Sequence, residues 1–230
     1  MGLRGTKPKG EISTKWSHDL AYAIGLIATD GNLSSNGRVV TFVSKDIQLI
    51  NTLQDSLGIS KTIHYKSGGF TTDKKYAFIN ICDILFYQFL LSIGLSPAKS
   101  KTMGALEIPD TYFIDFLRGS FDGDGSFYSY WDKRWASSFM FYLIFNSASI
   151  DHTNWLRKKI QNLIGPKGHA GKVAYSKAYQ LKYAKQEARI IFERIYYSPK
   201  LPKLERKYKK VYSALAIDAK HTRNSNRLIK

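Results

Sequence analysis

The chain carries one segment twice. Residues 23–31 read AIGLIATDG and residues 117–125 read LRGSFDGDG, so Gly25 aligns with Gly119 and Asp30-Gly31 with Asp124-Gly125. Further matches follow in the same order. Phe42-Val43-Ser44 and Ile47 pair with Phe145-Asn146-Ser147 and Ile150, and Ser96-Pro97-Ala98-Lys99-Ser100-Lys101 pairs with Ser198-Pro199-Lys200-Leu201-Pro202-Lys203. The offset grows from 94 to 103 residues, and the added residues fall between Tyr128 and Ser138, where a hairpin turn tolerates insertion. A repeat of this length constrains the chain to two similar units on one plan.

Each copy reads helix, hairpin, helix, hairpin, helix. Asp19 to Thr29 is an apolar helix stopped at Gly31, and Leu33 to Ser44 forms two strands around Ser35-Asn36-Gly37. Asp46 is placed to cap a helix to Leu57, with Ile47, Ile50, Leu53 and Leu57 on one face. Thr62–Lys66 and Tyr76–Ile81 are strands around Gly68-Gly69 and Asp73-Lys74, and Asp83 starts an apolar helix to Ile93. The second copy predicts a helix from Tyr112, strands near 126–132 and 139–147, a helix at 150–164, strands near 172–183 and a helix from Gln186. A last helix covers Glu205 to Ile217, and the basic tail from Lys220 is expected to be disordered. The divisions are a basic extension (1–16), a first repeat (17–96), a linker (97–109), a second repeat (110–218) and a tail (219–230).

Glycine inside a helix costs about 1 kcal/mol relative to alanine. Gly25 and Gly119 at matching points therefore imply two helices packed backbone to backbone, with their C-termini side by side. Each C-terminus then carries a carboxylate, Asp30 or Asp124, against the helix dipole. The two also repel each other unless a cation intervenes. A hard divalent ion such as Mg²⁺ takes carboxylate and carbonyl oxygens. With 35 Lys+Arg against 18 Asp+Glu, a net charge of +17, the surface suits a polyanion. Carboxylates sharing divalent ions before a polyanion describe a site for phosphodiester hydrolysis.

Other classes are excluded. Cys82 is the single cysteine, which rules out an intrachain disulfide or a Cys-rich zinc site. It suits a reducing, intracellular compartment and is expected as a small buried residue. The longest apolar run, Phe139 to Phe145, is too short to span a bilayer. Met1 to Lys15 is basic but lacks the apolar stretch of a secretory signal. The five histidines show no metal-ligand spacing.

On these residues the sequence resembles the LAGLIDADG homing endonucleases. The two nonapeptides look like the family's two motif copies, and the matches span nearly the whole chain. Two copies in one chain resemble the monomeric, pseudo-symmetric branch. The resemblance implies an α+β fold of two αββαββα repeats. Two antiparallel four-stranded sheets would form a DNA-binding saddle, with the motif helices packed at the interface. It implies that Asp30 and Asp124 bind the catalytic ions, with the carbonyls of Thr29 and Gly123 as added ligands. Mg²⁺ would serve, Mn²⁺ would substitute, and Ca²⁺ would support binding without cleavage. Lys101, Lys203 and Lys45 are the candidates to surround the scissile phosphates. The implied activity is cleavage of double-stranded DNA with staggered ends. An intron RNA maturase or a non-cleaving DNA-binding protein of this fold is the alternative. The copies differ at Asp122, whose partner is Ala28, and at Lys45, whose partner is Ala148.

A strand rises about 3.3 Å per residue and duplex DNA about 3.4 Å per base pair, so two ten-residue ribbons would track roughly twenty base pairs. With Leu33 and Phe42 inward, alternation turns Asn32, Ser34, Asn36, Thr41, Val43 and Lys45 toward the nucleic acid. In the second copy it turns out Ser126, Tyr128, Tyr130, Asp132, Tyr142, Ile144 and Asn146. His64, Lys66, Lys172, Gln180 and Lys182 extend the surface.

Overall fold

The computed structural model describes residues 10–68, 71–134, 138–174 and 176–227. Ser17 opens the first motif helix, α1 (His18–Asp30), by accepting the Leu20 N–H. The chain leaves α1 extended at Gly31 and enters a hairpin, β1 (Gly31–Leu33) and β2 (Val40–Ser44). Next come α2 (Ile47–Leu57), β3 (His64–Gly68), β4 (Thr71–Ile81) and α3 (Ile84–Ser92). The second copy repeats the series after a short 3-10 turn at Asp110–Tyr112. It comprises α4 (Phe113–Asp124), β5 (Ser126–Trp131), β6 (Phe139–Ser147), α5 (Ile150–Leu163), β7 (His169–Lys172), β8 (Tyr179–Ala184) and α6 (Lys185–Ile195). A final helix, α7 (Glu205–Arg227), follows.

Both copies are αββαββα, and both sheets are antiparallel with one topology, β1-β2-β4-β3 and β5-β6-β8-β7. Alternation works as predicted on β2: Val40 and Phe42 are buried, while Thr41 and Val43 stay half exposed on the other face. The inward sides of both sheets and the two motif helices share one continuous apolar core. The added residues of the second copy lengthen its first hairpin. β5 and β6 have 6 and 9 residues where β1 and β2 have 3 and 5.

Each copy also ends by crossing to the other. The chain after α3 docks on α5: Ser149 donates its hydroxyl to the Met103 carbonyl at 2.6 Å, and the His152 ring meets the Gly104 carbonyl at 3.0 Å. The chain after α6 docks on α2. There the Gln48 amide donates to the Lys203 carbonyl and accepts the Glu205 N–H, and Arg206 forks onto Asp46.

Four local expectations are corrected. Asp46 precedes α2 but makes no side-chain cap, because its carboxylate is taken by Arg206. Asp73 and Lys74 lie within β4 and not in a turn. Cys82 is exposed, since it sits one residue past the last paired residue of β4, between buried Ile81 and buried Asp83. α7 runs on through Lys220 to Arg227, with Asp218 buried in ion pairs to Lys185 and Arg189. Residues 1–9 of the basic extension, Gly69 and the last three tail residues lie outside the described residues. Among the described residues no helix is long and apolar enough to cross a membrane.

Candidate active site at the motif-helix ends

The crossing of α1 and α4 is as close as the glycine pattern predicts. A Cβ on Gly25 would lie 2.2 Å from the Phe116 carbonyl oxygen, and one on Gly119 would lie 2.1 Å from that of Tyr22. Each glycine makes room for the backbone of the other helix. Away from the helix ends, the Arg118 guanidinium is fully buried over the Tyr22 ring and donates to the carbonyls of Pro202 and Ile195. Asp122, also buried, accepts the Tyr22 hydroxyl at 2.8 Å and the Leu204 N–H at 2.9 Å. Burial holds its carboxyl up at about 6. Asp122 is thus a clasp among α1, α4 and the approach to α7.

Asp30 and Asp124 end their helices side by side. A Cβ on Gly123 would fall 3.2 Å from an Asp30 carboxylate oxygen and 1.9 Å from the Thr29 hydroxyl, so any side chain there would displace Thr29. Burial and the neighbouring Asp124 charge raise Asp30 to about 6, although Lys207 and Lys99 pull it the other way. Burial, more than the Asp124 charge, keeps Asp30 raised despite the two lysines. A cavity of about 140 Å³ adjoins Asp124, lined by Thr29, Lys99, Ser100 and Asn146 among others.

The two lysines differ in how they are held. Lys99 is buried and donates to the Gly31 carbonyl at the end of α1. Burial lowers its pKa against the pull of Asp30 and Asp124. The Lys207 ammonium sits among four carbonyls at the end of α4, which share its three N–H donors: Phe121 at 2.7 Å, Asp122 and Gly123 at 2.8 Å, and Gly125 at 2.7 Å. Burial brings Lys207 down to about 8. Sequence matching missed both residues. Lys99 lies inside the repeated Ser-Pro segment, two residues before Lys101, and Lys207 lies past its second copy.

The other candidates lie as follows. Lys101 is exposed in the linker. Lys203 turns back onto the carbonyls of Pro199 and Leu201 and pairs with Glu205. Lys45 stands over the Tyr76 ring on the open face of the first sheet. The Gly123 carbonyl already accepts from Lys207, and the Thr29 hydroxyl donates to the Leu26 carbonyl at 2.9 Å. Among the described residues no three His, Cys, Asp or Glu side chains converge on one point. Two carboxylates with helix-end carbonyls nonetheless form an all-oxygen donor set that fits a hydrated hard divalent cation.

On the open face of the first sheet, Asn32 pairs in register with Thr41, whose hydroxyl donates to Asn80 at 2.8 Å. Val43 lies beside Phe78, whose ring meets His64, and Lys66 stands over it. Ser34 and Asn36 are tied to each other in the β1–β2 turn. Tyr76, Phe78 and Asn80 join this face and were not singled out, although the alternation of Tyr76 to Ile81 marks them. On the second sheet Asn146 donates to the Asp124 carbonyl at 3.0 Å and accepts from Gln180 at 3.1 Å. Ser126, Ile144, Lys182 and His169 form the next row. Ile144 departs from expectation: it lies in this outward row but is only 6% exposed. Tyr128, Tyr130 and Tyr142 stack further out. Asp132 is bound to Arg134 at the hairpin end, and Lys172 is exposed at the edge strand.

No protein-family model and no curated relative matches the sequence. Solved structures do. The meganuclease I-SmaMI bound to uncleaveable DNA superposes with a TM-score of 0.60 over 92% of this chain and 92% of that one, at 14% identity. The N-terminal LAGLIDADG domain of DUF199/WhiA gives 0.53 over 84% and 89%, at 16% identity. I-DmoI in complex with DNA and Mn gives 0.50 over 80% and 98%, at 19% identity. The chain therefore has the LAGLIDADG fold, with both repeats in one polypeptide. At these identities the likeness is one of fold, and it is shared by DNA-bound meganucleases and by WhiA.

Proposed function

We propose that this protein is a site-specific, divalent-metal-dependent double-strand DNA endonuclease acting as a monomer. It would recognise roughly twenty base pairs and hydrolyse one phosphodiester in each strand, leaving staggered ends. The observation that carries this reading is the Asp30–Asp124 pair. Two carboxylates at adjoining helix C-termini, one raised to about 6 despite two lysines nearby, form a costly arrangement with no evident structural use. Asp122 makes the contrast. One oxygen of its carboxylate accepts from both Tyr22 and Leu204 and so has a structural use.

Asp30 and Asp124 would hold Mg²⁺, or Mn²⁺ as substitute, and a bound ion supplies an activated water and charge stabilisation at the leaving oxygen. Lys99 and Lys207 border both carboxylates and are better situated than Lys101, Lys203 or Lys45 to hold the scissile phosphates. Asn146, fixed by Gln180, orients the group beside Asp124. The open faces of both sheets, with the +17 net charge, would seat the duplex.

The test uses a randomised duplex library, bound in Ca²⁺, recovered, then exposed to Mg²⁺ with the ends sequenced. One long enriched site with staggered central breaks is expected. Asp30→Asn and Asp124→Asn should each slow cutting of that site by about a thousandfold, the scale of several kcal/mol of lost metal assistance. DNA binding should change only a few-fold. Normal cutting by both variants would sink the proposal. Enrichment without breaks would favour the non-cleaving reading that the WhiA likeness allows, and structured intron RNA would be the next ligand to try.

A further inference from the structure

The β5–β6 hairpin is longer than its counterpart β1–β2, and its open face carries three stacked tyrosines. Tyr128 and Tyr142 stack at 5.0 Å between centroids, and Tyr130 lies nearly parallel to both at 6.3 Å. Lys182 stands 4.0 Å from the Tyr142 ring centre. Met140 pairs with Tyr130, and Ile144 lies in the adjacent row. This apolar ribbon continues the face on which Asn146 touches Asp124. The first-sheet row that matches Ser126, Ile144 and Lys182 carries Asn32, Thr41 and Asn80, which are polar.

We propose that the Tyr128–Tyr130–Tyr142 face is a base-reading arm for thymine-rich sequence at the outer end of one half-site only. The inference rests on the endonuclease reading above. A major groove offers hydrogen-bonding edges at every base pair, but its one apolar group is the thymine methyl. The stacked rings offer apolar surface as their main contact, so thymine is the base this face can prefer. Lys182, held over the rings, supplies the positive charge that keeps a phosphate-lined groove close. Length agrees with this role. Three residues more in β5 than in β1 add about 10 Å of ribbon, or about three base pairs of reach.

The experiment takes the duplex recovered in the selection above and replaces thymine by deoxyuridine, which lacks only the methyl, in one half at a time. Binding is measured in Ca²⁺ by titration. We expect deoxyuridine in the outer positions of one half to weaken binding about fourfold per methyl, with no change in the other half. Tyr142→Ser should erase that penalty, and Tyr142→Phe should keep it, since the phenyl face remains. Equal or absent penalties in the two halves would overturn the inference. So would a selected site without thymine at those positions, or a penalty that survives Tyr142→Ser. In each of these cases unmodified DNA that is still bound and cut leaves the endonuclease reading standing. Failure to select any duplex would remove both.

Discussion

The two copies are nearly alike where they touch and unlike where they face outward. At the crossing of α1 and α4 the constraint is reciprocal: Gly25 exists for the backbone at Phe116, and Gly119 for that at Tyr22. Neither position can change without displacing the other helix. One step away the reciprocity ends. Lys207 gathers four carbonyls at the end of α4, whereas Lys99 takes the Gly31 carbonyl at the end of α1. Asn146 touches the Asp124 carbonyl, whereas its repeat partner Val43 has no polar group to offer. The second sheet has a long aromatic hairpin and the first a short polar one. Symmetry in this fold is held by backbone contact and fades as side chains become free to move.

The sharpest way to break this account is at the glycines. Gly25→Ala and Gly119→Ala should each destabilise the protein by about 3 kcal/mol, the upper range for overpacking, because the obstructing atoms are backbone. The two losses should agree, as the clash distances do. Gly104→Ala, where a Cβ meets nothing within 4 Å, should stay within about 0.5 kcal/mol. Urea unfolding of the three variants decides it. A tolerant Gly119→Ala beside a damaging Gly25→Ala would mean that the helices are not equally intolerant and that the symmetry is only apparent.

A smaller effect should expose the asymmetry of the lysines. Lys207→Met leaves four carbonyls without their charged donor, and hydrogen bonds to a charged group are worth about 1.5–3 kcal/mol each. Lys99→Met removes one such bond. Strand cutting should slow roughly a hundredfold for Lys207→Met and about tenfold for Lys99→Met, each mostly on one strand and on opposite strands. With a supercoiled plasmid carrying the site, nicked circles should accumulate in both cases. Equal slowing of both strands by both variants would show that the lysines serve a common centre.

How much of this the sequence made legible follows from the same division. The motif helices, their close approach and the paired aspartates could be read because a glycine in a helix interior and a carboxylate at a helix C-terminus are unfavourable alone and demand a cause. The sheets could be read from alternation and the long second hairpin from the shift in offset. The lysines could not. Repeat matching chose Lys101 and Lys203, but the chain after α6 folds Lys203 back on Pro199, Leu201 and Glu205. The same path delivers Lys207 to the helix end instead. Alternation also assigns a face without saying what covers it, which is why Ile144 lies outward yet is buried. α7 outran its prediction because buried Asp218, paired with Lys185 and Arg189 of α6, sustains it past its last apolar turn.

The smallest expected effect separates the copies at the start of their third helices. Asp83 opens α3 by accepting the Phe86 N–H at 2.9 Å, and it also ties down the incoming chain through the N–H groups of Glu11 at 2.6 Å and Ile12 at 2.9 Å. Ala184 opens α6 with no side-chain cap. Burial alone would raise the Asp83 carboxyl, but its backbone hydrogen bonds with Phe86, Ile12 and Glu11 outweigh that and hold it below the usual 3.8. A carboxyl lowered on folding adds stability that is complete at neutral pH and is lost as pH falls below about 4. Asp83→Asn should therefore cost about 1 kcal/mol at pH 7, with the gap to the native protein narrowing toward pH 3. Ala184→Asp should move the other way, by about 0.5–1 kcal/mol. Thermal unfolding of both variants at pH 7 and pH 3 checks the pair. A gap for Asp83→Asn that is unchanged at pH 3 would mean that the clasp depends on shape and not on charge, and the first copy's extra anchor would then be steric.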